Sequence, residues 1–377
     1  MVTGRRATRR LAPGLVALTL VAAACGGDAA ETAEDTGGVR TVDAGEAARA
    51  RAELGLGPAD DPDGPTGADE AGGESAVQSG SGDAAGIGVT PSTYPEISVP
   101  IADPEPGTRA LITPTGVLVG VVGVIDDGTV VETPCGGVTI VSAGQSVGEV
   151  DVVIDPGHGG DEAGAIDPVS GLTEAELNLS VARRARDLLV ERSIATVLIR
   201  DADYRIPIRR RAELADGLAP RVFVSIHHNT PASRPSPTPG TEVYVQNGSE
   251  DSRRLGGVLY ESVVEALSQF EDVEWTARDD AGVLVVLNDE GEDSYGIARY
   301  PITTSALLEL AYLGNESEAA LMQTPAYIEA SAAAVAEGIE RYLTTGDEGT
   351  GYVDQPRIFN PSGLTGGVDG CIDPLLE

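Results

Sequence analysis

The chain has 377 residues and a formal net charge of −35. Its 41% apolar content permits a sizeable core, but 48 Gly and 24 Pro with 4% aromatic residues point to a long stretch that does not fold. Such acidity argues against nucleic acid as a partner, because a polyanion would be repelled.

Residues 1–25 read as an export signal. Arg5, Arg6, Arg9 and Arg10 form a positive start, and Leu11 to Ala24 is an apolar run ending in small residues. That run is shorter than the roughly 20 residues a membrane span needs. Val-Ala-Ala-Ala leads into Cys25, a pattern similar to a bacterial lipoprotein signal. The resemblance implies lipidation at Cys25, with the chain held at the outer face of the cell membrane. An ordinary cleaved signal with an incidental cysteine, giving a secreted protein, is the alternative.

Residues 26–106 are expected to form a disordered acidic linker, with 17 acids against 3 Arg over 26–105. Residues 107–149 are expected to form a small β annex of two or three hairpins. Ala110–Thr113, Val117–Val124 and Thr129–Glu132 are apolar and β-branched, and Asp127-Gly128 is a hairpin signal. From residue 150 to 345 strands and helices alternate. Strands are predicted at Asp151–Ile154, Ala195–Ile199, Arg221–Ile226, Thr241–Val245 and Ala306–Leu310. Helices are predicted at Asn178–Arg192, Ile208–Ala215, Ser252–Gln269 and Thr324–Leu343. The pattern predicts an α/β domain: a mostly parallel twisted sheet covered by helices. Residues 346–377 are a Gly-rich tail. In an oxidising compartment Cys135 and Cys371 are expected to pair and pin that tail to the annex, two free thiols being the alternative.

The three histidines, His158, His227 and His228, all sit just past predicted strand ends. Sites in open α/β sheets gather at the carboxyl ends of strands. Imidazole and carboxylate are good Zn²⁺ ligands, and a catalytic zinc keeps three protein ligands and a water. Glu174 and Glu176 lie at a helix start. Thr173 can cap that helix with Glu176 in a capping box, which leaves Glu174 as the better ligand. Glu309 stands inside an otherwise apolar strand. Burial of a carboxylate is costly, so it should have a partner or a task, such as general acid–base work.

Asp155-Pro-Gly-His-Gly-Gly, Glu174-x-x-Leu-Asn-Leu, Ser225-Ile-His-His-Asn and Glu309-Leu-Ala-Tyr-Leu-Gly-Asn occur in that order. From Asp151 to Leu343 the chain resembles the zinc-dependent N-acetylmuramoyl-L-alanine amidase family 3. The resemblance implies Zn²⁺ bound by His158, Glu174 and His227, with Glu309 as the catalytic glutamate. It implies peptidoglycan as substrate and hydrolysis of the amide between N-acetylmuramic acid and L-alanine. Two positions depart from the family pattern. His228 stands where a small residue is usual, and the loop 288–300 is acidic and long. Neighbouring side chains point to opposite faces, so His228 is not expected to be a fourth ligand. Other readings are a zinc peptidase acting on the stem peptide, a non-catalytic wall-binding lipoprotein, and an enzyme awaiting an activator protein.

Overall fold

The computed structural model describes residues 100–230, 234–361, 367–368 and 370–377. The export signal with Cys25, and the acidic segment up to residue 99, lie outside the described residues. Among the described residues no helix is long and apolar enough to cross a membrane.

The annex is a five-stranded antiparallel sheet. Its strands are β1 (Ala110–Ile112), β2 (Leu118–Ile125), β3 (Gly128–Glu132), β4 (Val138–Val141) and β5 (Gln145–Val147), in the order β4-β3-β2-β1-β5. The sequence pattern marked only the first three. The hairpin loop between β2 and β3 is Asp126-Asp127, since Ile125 pairs with Gly128. Gly128 instead opens β3, where a Cβ would lie 2.4 Å from the Val141 carbonyl oxygen. Its lack of a side chain serves strand pairing rather than the turn.

The second sheet runs β12-β10-β14-β8-β6-β7. Here β6 is Val152–Pro156, β7 Thr196–Leu198, β8 Val222–Asn229, β10 Glu242–Val245, β12 Val283–Leu284 and β14 Ser305–Tyr312. Strands β7, β6, β8 and β14 are parallel, whereas β10 runs against β14. The architecture is therefore α/β with a mostly parallel sheet. Short pairs complete the strand set: β9 (Arg234–Pro235) with β11 (Thr276–Ala277), and β13 (Val286–Leu287) with β15 (Arg357–Ile358). The helices are α1 (Glu174–Glu191), α2 (Ile208–Leu218), α3 (Glu250–Leu267), α4 (Gly296–Arg299), α5 (Glu316–Met322) and α6 (Pro325–Thr344).

Alternation along the strands divides the core in two. Val152, Ile154, Val224, Ile226 and Leu308 meet Leu177, Val181 and Leu189 of α1, Leu255 and Leu259 of α3, and Val335 and Ile339 of α6. Val153, Phe223, Tyr244 and Leu307 face the other way, against Ile208, Ala215 and Leu218 of α2 and Leu111, Val119 and Val131 of the annex. A sheet covered on both faces explains why its strands read as continuous apolar runs. The annex is thus one wall of the second core. Phe223, fully buried there, contributes about 2 kcal/mol of hydrophobic stabilisation.

Two element ends bear on the site. Helix α1 begins at Glu174, as the Thr173–Glu176 capping box implies, four residues ahead of the apolar periodicity that marked Asn178–Arg192. The Thr173 hydroxyl accepts from the Glu176 N–H at 3.2 Å, and the Glu176 carboxylate accepts from the Thr173 N–H at 3.2 Å. This capping box fixes the helix origin. Strand β8 continues to Asn229, because its pairing with β14 does too. His227 and His228 therefore lie within the strand rather than past its end.

The C-terminal segment returns across the molecule. Cys371 is bonded to Cys135 of the annex, with Cα atoms 5.7 Å apart. Arg357 reaches back to the wholly buried Glu242, donating at 2.7 and 3.1 Å, and to Asp280, donating at 2.8 and 2.7 Å. The acidic loop 288–300 is tied to this same segment. Asp289 N donates to the Asn360 side chain at 2.9 Å, and Tyr295 stacks on Phe359.

Candidate active site and metal centre

The site is built at the carboxyl ends of β6 and β8, where side chains leave the sheet. His158 follows β6 in a left-handed conformation, φ 60°. That conformation disfavours a residue with a Cβ. Two buried arginines hold the loop in place. Arg211 of α2 donates to the His158 carbonyl at 2.7 Å, to the Pro156 carbonyl at 2.9 Å and to the Asp155 carboxylate at 2.6 Å. Ser225 of β8 donates to the other Asp155 oxygen at 2.7 Å. Arg200 donates to the carbonyls of Pro156, Gly157 and Ala175 at 2.8 to 2.9 Å. Burial, and then the charge of Arg211, push the Arg200 pKa down to about 10.

His158, Glu174 and His227 converge. Glu174 Oε1 lies 3.2 Å from His158 Nε2 and 2.9 Å from His227 Nδ1. The two imidazole rings meet edge to face with centroids 4.9 Å apart. One donor atom from each of the three residues lies within 4.8 Å of the others. Zinc bonds of about 2.1 Å at tetrahedral angles hold ligand atoms about 3.4 Å apart. The 3.2 and 2.9 Å separations from Glu174 are near that spacing, and two imidazoles with one carboxylate form a known catalytic zinc set. The residues present therefore fit Zn²⁺. Burial opposes ionisation of Glu174. His158 and His227 outweigh it by charge and hydrogen bonding, holding the carboxyl well below the usual carboxylate range.

Two glycines make this convergence possible. A Cβ on Gly157 would lie 2.2 Å from the His227 ring. One on Gly164, at φ 67°, would lie 2.5 Å from the Glu174 carboxylate and 2.6 Å from His158. Any side chain at either place would occupy the space of a side chain of this cluster.

Glu309 of β14 is the register partner of His227 in β8 and of Glu242 in β10. Side chains at paired positions share a sheet face, so Glu309 stands next to the histidine cluster. Opposed carboxylates on neighbouring strands repel. The Arg357 guanidinium sets a positive charge against Glu242 and offsets this repulsion.

His228 takes the other face. Its Nδ1 lies 2.7 Å from Asn178 Oδ1 and its Nε2 lies 2.9 Å from the Tyr327 hydroxyl. Burial pushes its pKa down to about 3, so the ring is neutral near pH 7.

The family described as N-acetylmuramoyl-L-alanine amidase matches residues 152–341, half of the chain. The chain belongs to that amidase family. The matched span contains His158, Glu174, His227 and Glu309, and leaves out the annex and the segment with Arg357 and Cys371. The uncharacterized protein YqiI of Bacillus subtilis is 31% identical over 193 residues, 51% of this chain and 84% of YqiI. The N-acetylmuramoyl-L-alanine amidase AmiC of Neisseria meningitidis is 31% identical over 227 residues, 52% of this chain and 53% of AmiC. This chain therefore spans only about half the length of that relative. Among solved structures, the amidase AmiC2 of Nostoc punctiforme is 28% identical with a TM-score of 0.44, covering 52% of this chain and 99% of AmiC2.

Sequence reasoning singled out His158, Glu174, His227 and Glu309; the first three converge, and Glu309 is the strand-register partner of His227. It overlooked the supports: Arg200, Arg211, Asn178, Tyr327 and the Glu242–Arg357 pair. The Asp155 of the first motif was one legible clue, since a buried acid at a strand end calls for a cation.

Proposed function

We propose that this chain is a zinc-dependent peptidoglycan amidase, cleaving the amide between N-acetylmuramic acid and L-alanine. His158, Glu174 and His227 would hold Zn²⁺, and Glu309 would be the general base and then the general acid. The observation that carries this reading is the meeting of two imidazoles and one carboxylate from distant parts of the chain, with Glu309 in register beside His227.

When bound, the ion supplies Lewis acidity and lowers the pKa of a water molecule toward about 7. Glu309 takes a proton from the attacking water and passes it to the departing amide nitrogen. One C–N bond breaks, one C–O bond forms, and the products are a lactyl carboxylate and the free amine of L-alanine. The Arg357–Glu242 pair keeps a neighbouring carboxylate compensated while Glu309 works. On the same reading, Cys25 carries a lipid and residues 26–106 tether the catalytic unit to the outer face of the membrane.

Glu309→Gln should keep stoichiometric zinc and lose at least 10²-fold in turnover. His158→Ala and His227→Ala should each lose the metal. Mass spectrometry of digested peptidoglycan should show intact stem peptides that begin with L-alanine. Wild-type turnover by Glu309→Gln, or fragments cut within the stem peptide, would refute the assignment. Labelling with palmitate that persists in Cys25→Ser would remove the anchor.

A further inference from the structure

We infer that His228 and Tyr327 are positioning residues that hold Glu174, through Asn178, in the orientation that binds the metal. This rests on the zinc reading above, and it assigns a task to the one histidine outside the ligand set.

The argument is one of hydrogen-bond direction. The four residues are nearly shut off from solvent: Asn178 and Tyr327 are 0% exposed, His228 1% and Glu174 5%. The Asn178 side chain could be placed either way round. Its neighbours decide. On one side lie two acceptors, the Gly157 carbonyl at 3.3 Å and Glu174 Oε1 at 3.4 Å, so the amide nitrogen faces them. The amide oxygen then faces His228 Nδ1, which must carry the proton in order to donate. A neutral imidazole protonated at Nδ1 has its lone pair on Nε2, and the Tyr327 hydroxyl donates to it.

The result is a chain with a single direction. It runs from the Tyr327 hydroxyl on α6 to His228 on β8, then to Asn178 on α1, and then to Glu174 Oε1. The His228 backbone N–H adds a donor to the same oxygen at 3.2 Å. The other Glu174 oxygen accepts from Ala165 N at 2.9 Å. Both oxygens thereby have donors of their own, which restrain the carboxylate against rotation and withdrawal toward the helix. Groups that orient a ligand in this way commonly contribute 10- to 100-fold in metal affinity. A small residue at 228 would take the donor from the Asn178 oxygen and the acceptor from the Tyr327 hydroxyl in a dry space.

The two engaged ring nitrogens also account for His228 staying out of the ligand set. Its side chain lies on the helix-covered side of the sheet, opposite to that of His227.

The test is metal affinity of the full chain, measured by competition with a chromogenic zinc chelator. His228→Ala should weaken Zn²⁺ binding at least 10-fold. Tyr327→Phe, which removes only one oxygen, should weaken it about 3-fold. The absorption bands of the Co²⁺-loaded protein should shift in both variants, a signature that loss of core packing would not by itself produce. If His228→Ala does not fold, Tyr327→Phe decides the matter alone. Wild-type affinity and an unchanged Co²⁺ spectrum in a folded variant, with wild type binding one zinc, would overturn this inference and leave the amidase reading standing. Failure of the wild-type chain itself to bind zinc would remove both.

Discussion

The Asp155–Arg211 pair offers a quantitative test of how the His158 loop is held. Its two side chains are only 1% and 4% exposed, and the contact is 2.6 Å. Arg211→Met fills a similar volume but removes the charge. Asp155 would then keep a buried negative charge with Ser225 as its remaining donor among the partners described above. Breaking a buried pair from one side costs about 3–5 kcal/mol. The carbonyls of Pro156, Ile206 and His158 also lose a donor. These losses overlap, since water can enter the vacated space, so we expect a total of about 5 kcal/mol. With a urea m value of about 3 kcal/mol per M, the unfolding midpoint should fall by about 1.7 M. Adding Asp155→Asn removes the stranded charge and should return about half of that loss. Equilibrium urea unfolding of the wild type, both single variants and the double variant forms a complete cycle. A fall below about 0.3 M in Arg211→Met, or a double variant no more stable than that single one, would refute the buried-charge argument.

Glu318 supplies a pH test. It is fully buried and accepts from Tyr312 N, Thr276 N and the Thr276 hydroxyl. Burial outweighs these bonds and pushes its pKa up to about 7. The folded state therefore keeps a proton that the unfolded chain has released above pH about 4.5, so stability falls as pH rises from about 4.5 to about 7, by about 3 kcal/mol at most. Glu318→Gln should flatten that slope in unfolding experiments at pH 5 and 8; a slope equal to that of wild type would count against the shift. The Cys135–Cys371 bond closes a separation of 236 residues. Cys371→Ser should cost about 4 kcal/mol, read as a lower thermal midpoint that added reductant no longer changes, and an unaltered midpoint would show that the tail is held by other contacts. Gly157→Ala should lose zinc, because the added methyl must displace the His227 ring; retained metal at wild-type affinity would contradict that steric reading.

Much of the fold was legible because its signals are local. Apolar runs of strand length alternating with helical periodicity specify an α/β sheet covered on both faces, wherever the rest of the chain goes. Thr173 and Glu176 specify a helix start within four residues of sequence. Gly-rich turns after Val152–Ile154 mark a strand end that can carry a functional side chain. The candidate donors were legible too, since only three histidines are present and the motifs around them are compact.

What the sequence could not reveal depends on pairing between distant segments. The length of β8 was set by β14, which carries the strand through both histidines. Adjacent positions in that strand send His227 to the donor cluster and His228 into the helix layer, the opposite-face division the sequence already implied; only the structure shows that His228 meets Asn178 and Tyr327 there. Arg200, Arg211, Tyr327 and Arg357 carry no local mark, because a buried charge or hydroxyl is recognised by its partner, and each partner lies on another element. The annex and the C-terminal segment looked like appendages for the same reason. Composition records that they are small or Gly-rich. Only the tertiary structure decides that one walls a core and the other returns an arginine to the carboxylate beside Glu309.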